Sequence, residues 1–222
     1  MSEVCAGVIV AAGAGMRMHG ADKLFSVVAG RPLLAHTVAA FESCEPIDRV
    51  VLVVSEANLE RGRALVAEES FSKIVAVCVG GQRRQDSVKC GLAALGPCDW
   101  VAVHDGGRPL VRPGMIARGL EAARETGAAV PVLPLADTIK EIDETGAITR
   151  TLDRSRLVAV QTPQVVRYDL LVRAHDEVAD DVTDDAAMVE SLGCSVATFE
   201  GSSRNVKITT AEDLMLAEAY LH

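Results

Sequence analysis

Val8-Ile9-Val10-Ala11-Ala12-Gly13-Ala14-Gly15-Met16-Arg17-Met18-His19-Gly20-Ala21-Asp22-Lys23 is the stretch that sets the fold. Val8-Ile9-Val10 is a short apolar run of the kind that forms a buried strand. Ala11 and Ala12 close the run. From Ala12 to Gly15 there is almost no side chain, so backbone N–H groups can approach a bound anion closely. Arg17 and Lys23 follow as two cations able to neutralise that anion. The arrangement points to a nucleoside triphosphate at the carboxyl end of the first strand. Two familiar fingerprints are missing. Met18 stands where G-x-G-x-x-G needs its third glycine, and no Gly-Lys pair exists for a P-loop.

Outward from this stretch, apolar runs alternate with helical patterns. The spacing predicts strands at 4–11, 49–54, 74–79 and 99–103, with helices at 31–43, 56–69 and 83–95 between them. A helix at 113–126 and a strand at 128–133 continue the series. Pro32 and Pro113 lie near helix starts, where a missing N–H costs nothing. This alternation argues for an α/β fold: a Rossmann-like, mostly parallel sheet with helices on both faces and right-handed crossovers. Such sheets bind ligands at the carboxyl ends of their strands.

The rhythm changes at 135. Asp137-Thr-Ile-Lys-Glu-Ile142 and Ala147-Ile-Thr-Arg-Thr-Leu152 each alternate polar and apolar residues, and Asp143-Glu-Thr-Gly146 reads as the turn between them. A protruding β-hairpin arm at about 135–158 is expected. An isolated hairpin is marginal in water, so it must pack on something, either a second copy or its own domain. A loop containing Pro163, helices at 167–178 and 184–192, a strand at 194–199 and a last helix at 210–221 complete a single domain, 1–222.

Composition excludes several functions. The 222 residues are 49% hydrophobic but only 3% aromatic, so Val, Ala, Leu and Ile must build the core. The net charge is −9, with 22 Lys+Arg against 31 Asp+Glu, which argues against a nucleic-acid groove and lets any local basic cluster attract a small anion. Six cysteines form no C-x-x-C pair, so neither a zinc knuckle nor a redox dithiol is expected, and buried free thiols are. The five histidines lack metal-ligand spacing, and no G-x-S-x-G elbow is present. With no basic n-region before the first strand and no apolar span, a cytoplasmic protein without membrane contact is expected.

Four loops carry the chemistry. His104-Asp105-Gly106-Gly107-Arg108-Pro109 follows a strand, with Asp105 suited to a metal or a sugar hydroxyl and Arg108 to a phosphate. Gly80-Gly81-Gln82-Arg83-Arg84-Gln85-Asp86-Ser87 opens a helix, whose free N–H groups favour an anion or a base carbonyl, with Asp86 or Ser87 able to cap it. Asp180 to Asp185 resembles a metal-binding acidic run, but a helix start capped by Thr183 is favoured. In Asn205-Val-Lys207-Ile-Thr209, Lys207 either snorkels or faces a ligand. One sheet edge thus gathers Arg17, Lys23, Arg84, Arg108 and Lys207 around Asp105, an array suited to phosphate chemistry.

In order, the chain contains A-A-G-A-G-x-R-M at 11–18, Lys23, G-G-x-x-R-x-D-S-V at 80–88 and V-H-D-x-x-R-P at 103–109. It continues with D-T at 137–138, D-R at 153–154, T-P-Q at 162–164, T-D-D-A at 183–186 and N-V-K-I-T at 205–209. Together these closely resemble the 2-C-methyl-D-erythritol 4-phosphate cytidylyltransferase family of the non-mevalonate isoprenoid route. The resemblance implies transfer of CMP from CTP to methylerythritol phosphate, with release of pyrophosphate. It implies catalytic roles for Arg17, Lys23, Arg154 and Lys207. The CTP site would comprise Ala11, Ala12, Gly13, Ala14, Gly15, Gly81, Gln82, Ser87, Asp105 and Gly106. The acceptor site would comprise Asp105, Arg108, Thr138, Arg154, Thr183 and Lys207. It further implies magnesium held mainly on triphosphate oxygens with Asp105 nearby, and a homodimer in which the arm crosses to the partner.

The chain departs from the family at three places. Gly106-Gly107 replaces common alanines, so a looser loop is expected; Asp22 precedes Lys23 in place of proline; and Met16 replaces a common arginine. The alternatives are a ribitol 5-phosphate cytidylyltransferase, a sugar-phosphate nucleotidyltransferase using another base, and a non-catalytic nucleotide sensor.

Overall fold

The computed structural model describes residues 3–13 and 23–221. Strand β1 (Cys5–Ala11) is followed by a short hairpin, β2 (Val27–Val28) and β3 (Arg31–Pro32), then α1 (Leu33–Glu42), β4 (Arg49–Val54), α2 (Leu59–Glu68) and β5 (Ile74–Val79). Next come α3 (Arg84–Leu95), β6 (Trp100–Asp105), α4 (Pro113–Thr126) and β7 (Ala128–Pro134). The arm is β8 (Lys140–Ile142) and β9 (Ile148–Thr151). It leads to β10 (Val158–Val160), β11 (Gln164–Arg167), α5 (Tyr168–Glu177), α6 (Asp185–Ser191), β12 (Ala197–Glu200) and α7 (Ala211–Leu221).

The main sheet has eight strands in the order β10-β7-β11-β6-β1-β4-β5, with β12 paired to β7. β1 is parallel to both β4 and β6, β4 is parallel to β5, and β12 is parallel to β7. β11 lies antiparallel between β6 and β7, and β10 runs antiparallel along β7. The mostly parallel sheet is therefore as expected. The expected loop around Pro163 instead holds two short strands. Three and four residues separated by Gln161-Thr162-Pro163 are too little for a periodic signal, and pairing to strands already formed defines them.

Alternation along the central strands supplies both faces. Val50, Leu52 and Val54 join Ile9, Phe41 and Ile116 in one cluster, under α1, α2 and α4. Val51 and Val53 join Val8, Val88, Leu92 and Leu171 in the other, under α3, α5 and α6. With so few rings available, Phe41 and Trp100 serve a core otherwise made of aliphatic side chains.

The register places the functional edge. Val10 lies opposite Asp105, Ala11 opposite Val54, and Val54 opposite Val79, so β1, β4, β5 and β6 end together. Because β11 is antiparallel, its beginning reaches the same edge: Gln164 faces Val103, and Thr162 just before it meets Asp105.

Candidate active site

A cavity of about 240 Å³ opens at this edge. Gly13, Lys23, Gly81, Gln82 and Ser87 lie on its wall, with apolar surface from Ala11, Leu24 and Ile208. A second cavity of about 260 Å³ adjoins it, bounded by Arg108, Thr162, Gln164 and Thr183. Arg84, Asp105 and Lys207 line both. One carboxylate with its cations thus stands where two ligands would meet.

Asp105 has three cationic neighbours. Its Oδ1 lies 3.3 Å from Arg84 Nε, and its Oδ2 lies 2.9 Å from Lys207 Nζ and 3.6 Å from Arg108 Nε. Burial alone would raise the Asp105 pKa. Arg84, Lys207 and Arg108 outweigh it and hold the carboxyl well below the usual carboxylate range. Arg84 also reaches Asp185, whose side chain is fully buried, at 2.8 Å. Burial opposes the Arg84 charge, but the two carboxylates raise its pKa. Burial dominates at Arg108 and lowers its pKa, because Asp105 is its one carboxylate and Arg84 sits nearby. Arg84, Arg108 and Lys207 face two carboxylates, so the cluster keeps an excess positive charge for an anion.

Neutral groups hold the cluster still. His104 is buried, and burial pushes its pKa down to about 4 against the pull of Asp105. The ring is therefore neutral: Nε2–H donates to Arg108 O at 3.2 Å, and Nδ1 accepts from Thr162 Oγ1 at 2.9 Å. Thr162 Oγ1 in turn accepts the Asp105 N–H at 3.1 Å. Arg108 Nη1 donates to Asn205 O at 2.8 Å, and Asn205 Nδ2 donates to Thr162 O at 2.8 Å. Gln164 Oε1 accepts the N–H groups of Asp185 and Ala186, and its Nε2 donates to Asp184 at 3.0 Å.

The loops follow local rules with two corrections. Asp86 accepts the Arg83 N–H and so caps the start of α3, whereas Ser87 Oγ accepts the N–H of Gly81 in the loop before it at 3.1 Å, so of the two expected caps Asp86 is the one used. A Cβ on Gly80 would come 2.4 Å from Ala12 Cβ, so glycine lets this loop close on the end of β1. The cap of α6 is Asp184, not Thr183: Asp184 Oδ1 accepts the Ala187 N–H at 2.9 Å, while Thr183 is exposed at the second cavity. The looser loop expected at Gly106-Gly107 is also absent. Gly106 N–H donates to Val10 O at 2.8 Å, and Thr37 donates to Gly106 O at 3.0 Å. A Cβ on Gly106 would lie 2.9 Å from Ala11 Cβ.

Among the expected site residues, Ala11, Gly13, Lys23, Gly81, Gln82, Ser87, Asp105 and Lys207 line the first cavity. Arg108 and Thr183 line the second. Ala12 and Gly106 do not line the first cavity. Ala14, Gly15 and Arg17 lie outside the described residues. Thr138 and Arg154 sit exposed on the arm and line neither cavity of their own chain; the Arg154 guanidinium donates to Ala136 O. Sequence reasoning counted Arg84 among the edge cations without a binding role, and it gave none to Thr162 or Asp185, although each falls inside a quoted motif. Of the six cysteines, Cys5 and Cys44 are buried and the other four are half-buried.

The fold and the cation-lined edge define a nucleotidyltransferase: a parallel sheet presents a glycine loop, lysines and a carboxylate where phosphates would meet. Residues 4–222 match the family 2-C-methyl-D-erythritol 4-phosphate cytidylyltransferase, and the chain belongs to that family. It is 49% identical over 221 residues to the enzyme of that name from Dehalococcoides mccartyi (strain CBDB1), covering 100% of this chain and 97% of that one. The crystal structure of 2-C-methyl-D-erythritol 4-phosphate cytidylyltransferase from Thermus thermophilus superposes with a TM-score of 0.79 at 36% identity, covering 99% of each chain. The 4-diphosphocytidyl-2C-methyl-D-erythritol synthase from Anaerococcus prevotii DSM 20548 gives a TM-score of 0.88 at 29% identity, covering 99% of this chain and 98% of that one.

Proposed function

We propose that this chain transfers CMP from CTP to 2-C-methyl-D-erythritol 4-phosphate in isoprenoid precursor synthesis. The observation that carries the reading is the pair of cavities meeting over Arg84, Asp105 and Lys207. CTP occupies the first cavity, with its base against Gly81, Gln82 and Ser87. Its triphosphate is taken by the Ala11 to Gly15 segment, Ala12 included, and its ribose by Asp105 and Gly106. The acceptor phosphate occupies the second cavity beside Arg108, Thr183 and Lys207. A phosphate oxygen of the acceptor attacks the α-phosphorus of CTP. The new P–O bond forms as the bond to the β-phosphate oxygen breaks, and pyrophosphate leaves with that electron pair. The attacking group is already an anion, so the step requires no protein base. Lys23 and Arg17 stabilise charge on the triphosphate as it grows, and Lys207 and Arg154 position the acceptor.

Magnesium fits this donor set as an ion carried by the nucleotide. Among the described residues no three His, Cys, Asp or Glu side chains form a cluster, and Asp105 is the carboxylate lining the first cavity. Magnesium commonly needs only one or two protein carboxylates when phosphates supply the other ligands. Bound there it neutralises phosphate charge.

The chain is read as one nucleotidyltransferase domain, 1–222, with a dimerisation arm at about 135–158. Thr138 and Arg154 are exposed and line neither cavity of their own chain, so each would complete the partner's acceptor site in a homodimer. Ile142 and Ile148 on the arm are exposed apolar surface that such a partner would cover. Among the described residues no helix is long and apolar enough to cross a membrane; a cytoplasmic location is proposed. Pyrophosphate release with CTP and each candidate acceptor tests the reaction. Turnover with methylerythritol phosphate is expected, and strong preference for ribitol 5-phosphate would overturn it.

A further inference from the structure

A third cavity, of about 640 Å³, lies at the start of α4 and the end of β12. Arg112, Arg118 and Arg204 line it together with Glu200 over an apolar floor of Leu110 and Met115. Among the described residues none of these three arginines has a carboxylate within ion-pair distance. Arg31, Arg63, Arg83, Arg124, Arg150 and Arg167 each do. Three guanidinium groups without an ion pair around one hollow are unexpected in a chain of net charge −9. Glu200 on the same wall offsets only part of their charge. Arg204 is steadied by Tyr220, whose ring centre lies 5.3 Å away, and Arg118 Nη2 donates to Glu200 O at 3.5 Å. Pro113 and Gly114 begin α4 here, so the positive end of a 14-residue helix adds to the field.

We propose that this cavity is a second anion site for a small phosphate- or diphosphate-bearing molecule, coupled to the acceptor side of the active site. Several guanidinium forks favour the many acceptor oxygens of a phosphate or diphosphate over a neutral ligand. The volume matches that of small-ligand pockets. The coupling runs through hydrogen bonds. Gly201 N–H donates to Val132 O, and Ser202 N–H donates to Gln161 Oε1 at 3.1 Å. Gln161 Nε2 donates to Ser202 O at 3.0 Å and to Asn205 O at 3.3 Å. Asn205 O also receives Arg108, and two residues on Lys207 reaches Asp105. An anion held by Arg118 and Arg204 therefore bears on the segment that carries Lys207.

Inorganic diphosphate is the probe, titrated calorimetrically into wild-type protein, a Lys23→Ala variant and an Arg118→Ala/Arg204→Ala variant. A binding event that survives Lys23→Ala is expected, weakened about tenfold or more in the double variant. Without added diphosphate the double variant keeps kcat within about twofold of wild type, because it leaves both substrate cavities intact. With diphosphate present, the acceptor KM moves in the wild type and less in the double variant. No event surviving Lys23→Ala, or equal affinity in the double variant, overturns the site. An unchanged difference in acceptor KM between the two proteins overturns the coupling. The binding arms of this experiment stand whether or not the proposed reaction is correct.

Discussion

The Asp105 cluster and the β8–β9 arm place charged residues in opposite ways. Around Asp105, each ionic group is held by another and by buried neutral donors, so the geometry is set by the chain itself. On the arm, β8 and β9 pair only with each other, every residue of both strands is exposed, and Arg150 and Glu141 make a surface ion pair at 2.7 Å. Such pairs contribute little to stability. The contrast teaches a division of labour. One cluster is preorganised within the chain, and the exposed arm takes its surroundings from a partner only in the proposed dimer.

The largest expected effect breaks the first side of the comparison. Asp105→Asn leaves Arg84, Arg108 and Lys207 without their shared carboxylate, and should cost about 3–5 kcal/mol in urea unfolding as well as most activity. A loss below about 1 kcal/mol would mean that the cluster is not held as described. Lys23→Ala tests the chemistry beside it: a fall in kcat of roughly 10²–10³ with unaltered stability is expected from lost charge stabilisation.

Acid should separate the two regions next. The folded pKa of His104, about 4, lies below its unfolded value near 6.5, so the unfolded chain binds the extra proton between them. Its contribution is fully present above pH 6.5 and disappears as pH falls toward 4, on the order of 3 kcal/mol in all. Asp105, depressed in the folded state, adds a loss of stability only at still lower pH. Unfolding free energies measured from about pH 7 to 4 should therefore decline, and a His104→Gln variant should show a flatter decline. Equal slopes would remove His104 from the account.

Arm variants should behave differently. Arg154→Ala is expected to lower kcat/KM for the acceptor about tenfold to a hundredfold, while the CTP KM and the thermal midpoint stay unchanged. Parallel loss of CTP affinity would contradict its place on the acceptor side. The smallest effect is expected from Ile142→Thr/Ile148→Thr, which should weaken dimerisation in sedimentation without altering the unfolding of the protomer. An unchanged association constant would leave that apolar surface without its proposed partner.

The same contrast explains what could be read in advance. Apolar runs and their spacing located the parallel strands because a buried strand needs little beyond them. The arm was legible through its alternation and through Asp143, whose Oδ1 accepts the N–H groups of Thr145 and Ala147 at 2.9 and 3.0 Å. β10 and β11 were not legible, because their pairing depends on gaps beside β6 and β7 that no local pattern records. Most of the cavity residues fell within motifs. Arg84 meeting Asp185, and Thr162 joining His104 to Asp105, depend on chain crossings that bring distant segments together. The cap on α6 moved by one residue because Asp184 has the backbone conformation and carboxylate that reach the Ala187 N–H.

Subunit mixing tests the shared site most directly. Lys23→Ala and Arg154→Ala proteins, each nearly inactive alone, are unfolded together and refolded so that subunits exchange. If Arg154 acts on the partner's cluster, half the dimers are mixed and one of their two sites is intact, giving about a quarter of wild-type activity. Activity no higher than the average of the two separate variants, with mixed dimers demonstrated, would place Arg154 in its own chain's site and contradict the shared site.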